Sequence, residues 1–332
     1  DVHQFSLRLD HRLSNEDQVF IRFSTFDADE IQPFGTGVQQ EALVPGFGRT
    51  LGTKTRNIGV SHTKTFGASV LNELRMGYMS VSGGQRSQNA GTDFAGQVGL
   101  LGVSRDPRDV GFPQVSTAGL FSTIGDPTTF ISRDNEHFEF YNNLLIDQGN
   151  HRYKIGGYLF HLRFRPMNPD TPRGAFTYTG QWTGNSLADF LLGYPTSGRS
   201  GIGRGSEDAR TTWLHLYAQD DWRAKDNLTV NYGLRYEFNS HMKDIDNRLS
   251  SIDLSIPGGR YVIASDDAGN LSSDAEKLLP LMPIPWVSSA EAGWDRSLLR
   301  PSKLRLAPRV GFALSLGRDQ ATVLRGGYGV FL

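Results

Sequence analysis

The chain is 332 residues long and close to neutral, with 34 Lys and Arg against 35 Asp and Glu, so it carries no basic field that would call for a nucleic-acid partner. It has no cysteine, which excludes a disulfide framework, thiol catalysis and Cys-ligated metals. Only 38% of residues are hydrophobic and no apolar run approaches the roughly 20 residues of a spanning helix, whereas 38 glycines and 11% aromatics suit strands and turns in one large all-β unit.

Period-two patterning begins at once, in sequence that starts at Asp1 with neither an initiator Met nor a signal peptide and so reads as a mature or excised piece of something longer. Phe5, Leu7 and Leu9 alternate with Ser6, Arg8 and Asp10, and Val19, Ile21 and Phe23 oppose Arg22 and Ser24. "TRNIGVSHTKT" is less regular. Leu74, Met76 and Tyr78 oppose Glu73, Arg75 and Gly77. Phe138, Phe140, Leu144 and Ile146 oppose Glu139, Tyr141, Asn143 and Asp147, with Asn142 interrupting the apolar side. "RYKIGGYLFHLRF" is again irregular. Leu214, Leu216, Ala218 and Trp222 oppose His215, Tyr217, Gln219 and Asp221. In "DNLTVNYGLRYEF", Leu228, Val230, Tyr232, Leu234, Tyr236 and Phe238 alternate with Thr229, Asn231, Gly233, Arg235 and Glu237. Leu304, Leu306, Val310, Phe312 and Leu314 oppose Lys303, Arg305, Arg309 and Gly311; in the last run Leu324, Tyr328 and Val330 oppose Arg325, Gly327 and Gly329. Successive side chains of a strand point to opposite faces, so every run has one apolar and one polar side. The spacing predicts about ten strands of about 10–13 residues.

The connections fall into two alternating classes. Turn-forming clusters at 13–17, 66–69, 148–151, 224–227 and 317–320 are short, while segments 29–53, 84–132, 166–208 and 241–302 are long. Five hairpins joined by long loops is the arrangement of an outer-membrane barrel with tight periplasmic turns and long extracellular loops. Inside the loops, "NSLADFLLGYP" predicts a short helix capped by Asn185 and stopped by Gly193 and Pro195. "GAFTYTG" and "RYVIAS" read as short strands, and the Pro-rich "LLPLMPIPW" does not read as a central strand.

A soluble sandwich also alternates, but its strands average only ~5–6 residues, against the ~9–11 that cross a bilayer at a tilt. Trp222, Phe238, Tyr78 and Tyr328 stand near the ends of apolar stretches, where interfacial girdles belong. Arg22, Arg75, Arg235, Arg309 and Arg325, with Glu237, occupy the polar sides. Each arginine placed against lipid at mid-membrane would cost roughly 2–4 kcal/mol, so these residues are expected to face inward, with lipid on the other side. The chain is expected to be integral to the outer membrane and to contact its lipid.

Chemistry-bearing motifs are sparse. The histidines at 3, 11, 62, 137, 151, 161, 215 and 241 have no zinc-motif spacing, "GIGRG" does not open a helix after a strand, and "RDPRD" and "SDDAGN" read as solvated loop charge. No catalytic residue, metal or cofactor is expected. The competing enzyme reading, an outer-membrane aspartyl protease using Asp220 or Asp221 with His215, is disfavoured: these acids run into a tight turn, and His215 lies about 20 Å along the strand from Asp221. A surface adhesion protein that binds partners through its loops without transport is the alternative to a transporter.

"LYAQDDWRAKDNLTVNYGLRYEF" (216–238) resembles paired strands in barrels of TonB-dependent outer-membrane transporters, and "KLRLAPRVGFALSLGRDQATVLRGGYGVFL" (303–332) resembles a later hairpin of the same group. "GAFTYTGQWTGNSLADFLLGYPTSG" (174–198) resembles a loop segment of the Oar-like branch. The resemblance implies a 22-stranded barrel with an N-terminal plug and a segment contacting the TonB complex. Residues 1–332 show about ten strands and neither plug nor regulatory domain, so they read as a partial barrel. It also implies energy-coupled uptake of a substrate such as an iron chelate, oligosaccharide or peptide, with Gly233, Gly311, Gly327 and Gly329 leaving room for the plug.

Overall fold

The computed structural model describes residues 1–33, 45–119, 121–126, 130–201, 205–299, 305–316 and 321–331. Lys303, Leu304, the turn at 317–320 and parts of the first loop and of "GIGRG" lie outside the described residues. Ten long strands follow in chain order: β1 (Val2–Ser14), β2 (Asp17–Gln32), β3 (Arg49–Phe66), β4 (Val70–Ser87), β5 (Phe130–Gln148), β6 (His151–Met167), β7 (Ala209–Lys225), β8 (Leu228–Asn239), β9 (Leu306–Leu316) and β10 (Thr322–Gly329). They pair antiparallel in that order, with the two-residue strand Lys243–Asp244 added to β7, so the sheet is an up-and-down meander. Among the described residues β1 and β10 do not pair, and the sheet is an open wall rather than a closed ring.

Strands β2 to β7 reach 16 to 19 residues, longer than the pattern predicts. The first three long loops shrink accordingly, to 33–48, 88–129 and 168–208 rather than 29–53, 84–132 and 166–208, whereas the fourth spans 240–305 rather than 241–302. The cause is visible in β3 and β4. Backbone pairing continues through Arg56↔Ser80 and Lys54↔Ser82, where the face that was apolar has turned polar, so the hydrophobic alternation stops while the ladder does not.

The register puts the apolar side chains in continuous rows. One row runs Leu9, Ile21, Val60, Met76, Phe140, Leu159, Leu214, Phe238 across eight strands. The next runs Phe23, Ile58, Tyr78, Phe138, and then His161 and Thr212. Much of this side stays exposed or half-exposed: Leu9 at 62%, Leu216 at 48%, Met76 at 38%. Meanwhile the buried apolar residues, Ala209 and Ala307 apart, lie in the loops. The wall is thus inside out relative to a water-soluble sheet, with its greasy side open to the surroundings.

The loops carry what core there is. Segments 88–129 and 168–208 share one four-stranded sheet, in which Gln114–Thr117 runs parallel to Ala175–Tyr178, with Phe121–Ile124 and Ser197–Arg199 outside them. The expected helix is α1 (Ser186–Leu192): Asn185 accepts from the amides of Leu187 and Ala188, and Gly193 closes it at φ 73°. Residues 240–299 fold around Val262, Ala264 and Leu298, with Trp294 and Val287 packed on them, and carry the strands Ser250–Asp253, Arg260–Ile263 and Trp286–Ser288. Pro280 stands at the start of a 3-10 turn, Leu279–Leu281, where its missing N–H costs no hydrogen bond.

Met76 and Arg75 are adjacent but face opposite ways. Met76→Arg should lower the unfolding free energy of the chain refolded into phospholipid vesicles by roughly 2–4 kcal/mol. Arg75→Leu should cost under about 1 kcal/mol, because its ion pair with Glu73 is solvent-exposed. Equal losses in a urea titration would refute the assignment of faces.

Candidate functional site

The polar face gathers the side chains singled out in the sequence. A single row runs Asp10, Phe20, Ser61, Arg75, Tyr141, Tyr158, His215, Glu237. One step toward the tight turns stands Arg12, Gln18, Thr63, Glu73, Asn143, Gly156, Tyr217, Arg235. Arg22 lies opposite Arg8 on one side and Gly59 on the other, Arg309 opposite Gly233, and Arg325 opposite Ala313. All six sequence candidates therefore share the face away from the apolar rows.

The structure brings three of the candidates into contact with a wider network. Arg235 donates to Glu237 at 2.5 Å and lies 3.0 Å from His215 Nδ1, whose Nε2 is 2.7 Å from Asn239 Oδ1. Arg75 binds Glu73 on its own strand. Beside them the Phe160 and Trp213 rings pack tilted, centroids 4.7 Å apart, and Tyr158 packs near Tyr141, Phe160 and His215. Two hollows open here. One of about 470 Å³ is lined by Tyr141, Tyr217, Gln219, Asn231, Gly233, Arg235 and Arg309. The other, about 410 Å³, is lined by Glu73, Arg75, Gly77, Glu139 and Tyr141. Arg309 also covers the Phe331 ring at 4.9 Å. Gly156 is what lets the Tyr217 ring lie flat on the wall, since a Cβ there would sit 2.5 Å from the ring; the Tyr217 hydroxyl then donates to Asn143 at 2.6 Å.

The residues of the enzyme reading are not assembled. His215 and Asp221 share the polar face, but Asp221 binds Lys154 at 2.8 Å and Asn231 at 2.6 Å. Asp220 lies on the apolar face, 3% exposed, bonded to His151 Nδ1 at 2.7 Å and Tyr232 Oη at 2.8 Å. His151 in turn stacks between Tyr153 and Trp222. The sequence names Asp220 only as an acid near His215; that it stands on the apolar side, opposite Tyr153 and Tyr232, comes from the register. Among the described residues no three His, Asp or Glu side chains gather as a metal site.

At the loop end the governing residue is Arg173, 2% exposed and missed in the sequence. It donates to the carbonyls of Asp109 (2.9 Å) and Val110 (3.1 Å), to Ser87 Oγ (3.1 Å) and to Asn89 Oδ1 (3.0 Å). Burial pushes its pKa down to about 10, so the guanidinium stays charged at neutral pH. Gly111 makes room for it, since a Cβ there would fall 2.0 Å from Cζ. A guanidinium spending its donors on carbonyls of the 88–129 segment ties that segment to 168–208. In the third loop, burial raises the Asp295 carboxyl, but the Lys243 ammonium at 2.8 Å and donors from Ser297 outweigh it and hold it at about 2.

Comparison with known proteins follows from this geometry. A meander of long antiparallel strands, apolar on one side and polar on the other, is the wall of an outer-membrane β-barrel. The family described as outer membrane beta barrel domain matches residues 1–332, so the chain belongs to that family and is an integral outer-membrane protein. No curated protein matches it. Among solved structures it is similar to the copper transporter OprC (TM-score 0.48, 11% identity, 98% of this chain and 36% of that one). It is also similar to FpvA of P. aeruginosa in a pyoverdine–iron complex (0.43, 10%, 96% and 34%) and the siderophore receptor PirA from Acinetobacter baumannii (0.38, 9%, 96% and 41%). The chain thus spans about a third to two fifths of those proteins' length.

Two outcomes follow. Arg173→Met should expose the 88–129 segment to protease and speed its amide exchange, a local destabilisation of about 3 kcal/mol as buried carbonyls lose a charged donor, with the long strands still protected. Asp295 titrates at about 2 when folded and near 3.9 when unfolded, so its contribution is complete above pH ~4 and lost as pH falls toward 2. Proteolysis of the 240–305 segment should rise through that window, and Lys243→Met should flatten the rise.

Proposed function

We propose that the chain is part of the barrel wall of a TonB-dependent outer-membrane transporter of the Oar-like branch. The apolar rows meet lipid and the polar face looks into the lumen. The observation that carries this reading is the separation of Arg22, Arg75, Arg235, Glu237, Arg309 and Arg325 from every apolar row by the register. It is supported by the resemblance of the 216–238 and 303–332 hairpins to that transporter group. In this reading the long loops capture the substrate, an iron chelate, oligosaccharide or peptide. The charged and aromatic hollows around Arg75, Arg235 and Arg309 seat a plug and the passing substrate. Energy arrives through a TonB-contacting segment outside residues 1–332. The chain performs no covalent chemistry.

The adhesion reading draws on a different observation, the fusion of segments 88–129 and 168–208 into one folded body suited to holding a partner. Uptake by cells carrying the full-length protein separates the two. Transport should vanish when the inner-membrane energy-coupling complex is deleted and should fall several-fold in a Gly233→Leu, Gly311→Leu double variant that retains heat-modifiable migration on gels. Uptake indifferent to both changes defeats the transporter reading, and partner binding with no uptake favours adhesion.

A further inference from the structure

The apolar face ends abruptly toward the loops, and what stands there is basic. Above the Phe23, Ile58, Tyr78, Phe138 row, only two residues or about 7 Å farther along each strand, the same face carries Thr25, Arg56, Ser80, Glu136, Arg163, Arg210 and Lys243 in register. Arg163, Arg210 and Lys243 are direct neighbours on three adjacent backbones, an arrangement of like charges that costs energy unless something answers it. Asp208 answers in part, accepting from Arg163 at 2.6 Å and from Arg210 at 3.2 Å, and Asp295 takes Lys243 at 2.8 Å, so three cations share two carboxylates. Glu136 takes Arg165 at 3.0 Å, leaving the buried Arg165 Nε without a partner. Asp134 stands opposite Arg165 and screens that edge.

Next to this row a hollow of about 340 Å³ is lined by Arg210, Lys243, Arg296 and His241, with the hydroxyl residues Thr212 and Ser240. The one carboxylate in its wall, Asp244, is spent: it accepts from Arg248 through both oxygens and from the Asp208 amide. Arg296 donates to neutral oxygens, Asn247 Oδ1 at 2.8 Å and the Ile245 carbonyl at 3.0 Å. A pocket with cationic walls and hydroxyl donors fits a phosphate group. Its place decides the source of that phosphate. Arg210 and Thr212 in its wall stand on the apolar side of the sheet; the His161–Thr212 pair separates it from Leu159, Leu214 and Phe238, four residues or about 13 Å below, within reach of the acyl chains of a lipid whose headgroup is seated there.

We propose that Arg163, Arg210, Lys243 and Arg296 form a binding site for the phosphorylated headgroup of an anionic membrane lipid in the outer leaflet. The site stands apart from the polar face and holds whether or not the chain transports anything. Basic residues at a membrane surface attract anionic headgroups, and the attraction weakens with ionic strength.

The test uses the full chain folded in detergent micelles and analysed by native mass spectrometry with phosphatidic acid, phosphatidylcholine or inorganic phosphate added. Phosphatidic acid should be retained in preference to phosphatidylcholine. An Arg163→Gln, Arg210→Gln, Lys243→Gln variant should bind it roughly tenfold more weakly or worse. Because that variant removes the partners of Asp208 and Asp295, a second one, Arg296→Gln, whose side chain donates only to neutral oxygens, tests the pocket from the loop side and should also weaken retention. Arg223→Gln, on the polar face near a tight turn, should leave retention unchanged. Unaltered phosphatidic acid binding in both pocket variants overturns the proposal. Inorganic phosphate binding as tightly as the lipid overturns the lipid assignment.

Discussion

Everything in this wall depends on hydrogen bonding across the sheet in a medium that offers no replacement for a lost bond. In hydrocarbon an unpaired amide or carbonyl has no water to turn to, so the backbone must be satisfied by neighbouring strands along the whole membrane depth. Once pairing is fixed, the pleat does the rest. A single-residue slip would carry Arg75 into lipid and Met76 into the polar face, so every strand is locked to its neighbours by the same accounting. The tight turns at one end hold that register mechanically, and the loops are free to grow only at the other.

Polar chemistry on the apolar side is confined to the margins of the band. Near the tight turns Asp17 is held by His62 and Lys64, and Asp220 by His151 and Tyr232, with Trp222, Tyr153 and Phe66 close by. At the opposite margin the arginines begin. In the rows of Lys64 and His62, at the tight-turn margin, Asn72 and Asn142 bond to one another and so answer their own polarity. This pattern follows from the cost of a polar atom in hydrocarbon: it is tolerated at an interface, or where a partner is built in.

Much of this was legible in the residues alone. Alternation located the strands, the Gly, Asn, Asp and Ser clusters located the turns, and the side on which Arg22, Arg75, Arg235, Arg309 and Arg325 fall could be read by counting in twos. Capping chemistry gave the helix after Asn185, since an Asx side chain before a Leu-rich run and a Gly after it act locally. What could not be read was everything carried by contacts distant in sequence. Strand ends were drawn too short because hydrophobicity stops before hydrogen bonding does. Arg173 looked like one more loop arginine, because its burial depends on carbonyls more than sixty residues away. The hollows beside Arg235 and Arg309 arise from strands that meet only through the register, and that same register is what puts Asp220 on the apolar side.

The shared sheet of the two middle loops has a consequence for how such a protein changes over generations. With Gln114–Thr117 zipped alongside Ala175–Tyr178 and Arg173 plugged into the first loop, neither insertion is a private appendage of its own hairpin. A deletion or graft in one leaves the other with an orphaned strand and a stranded charge. The two loops therefore make one structural unit, and chimaeras that exchange one member without its mate should fail at the loop end while the wall beneath them assembles normally.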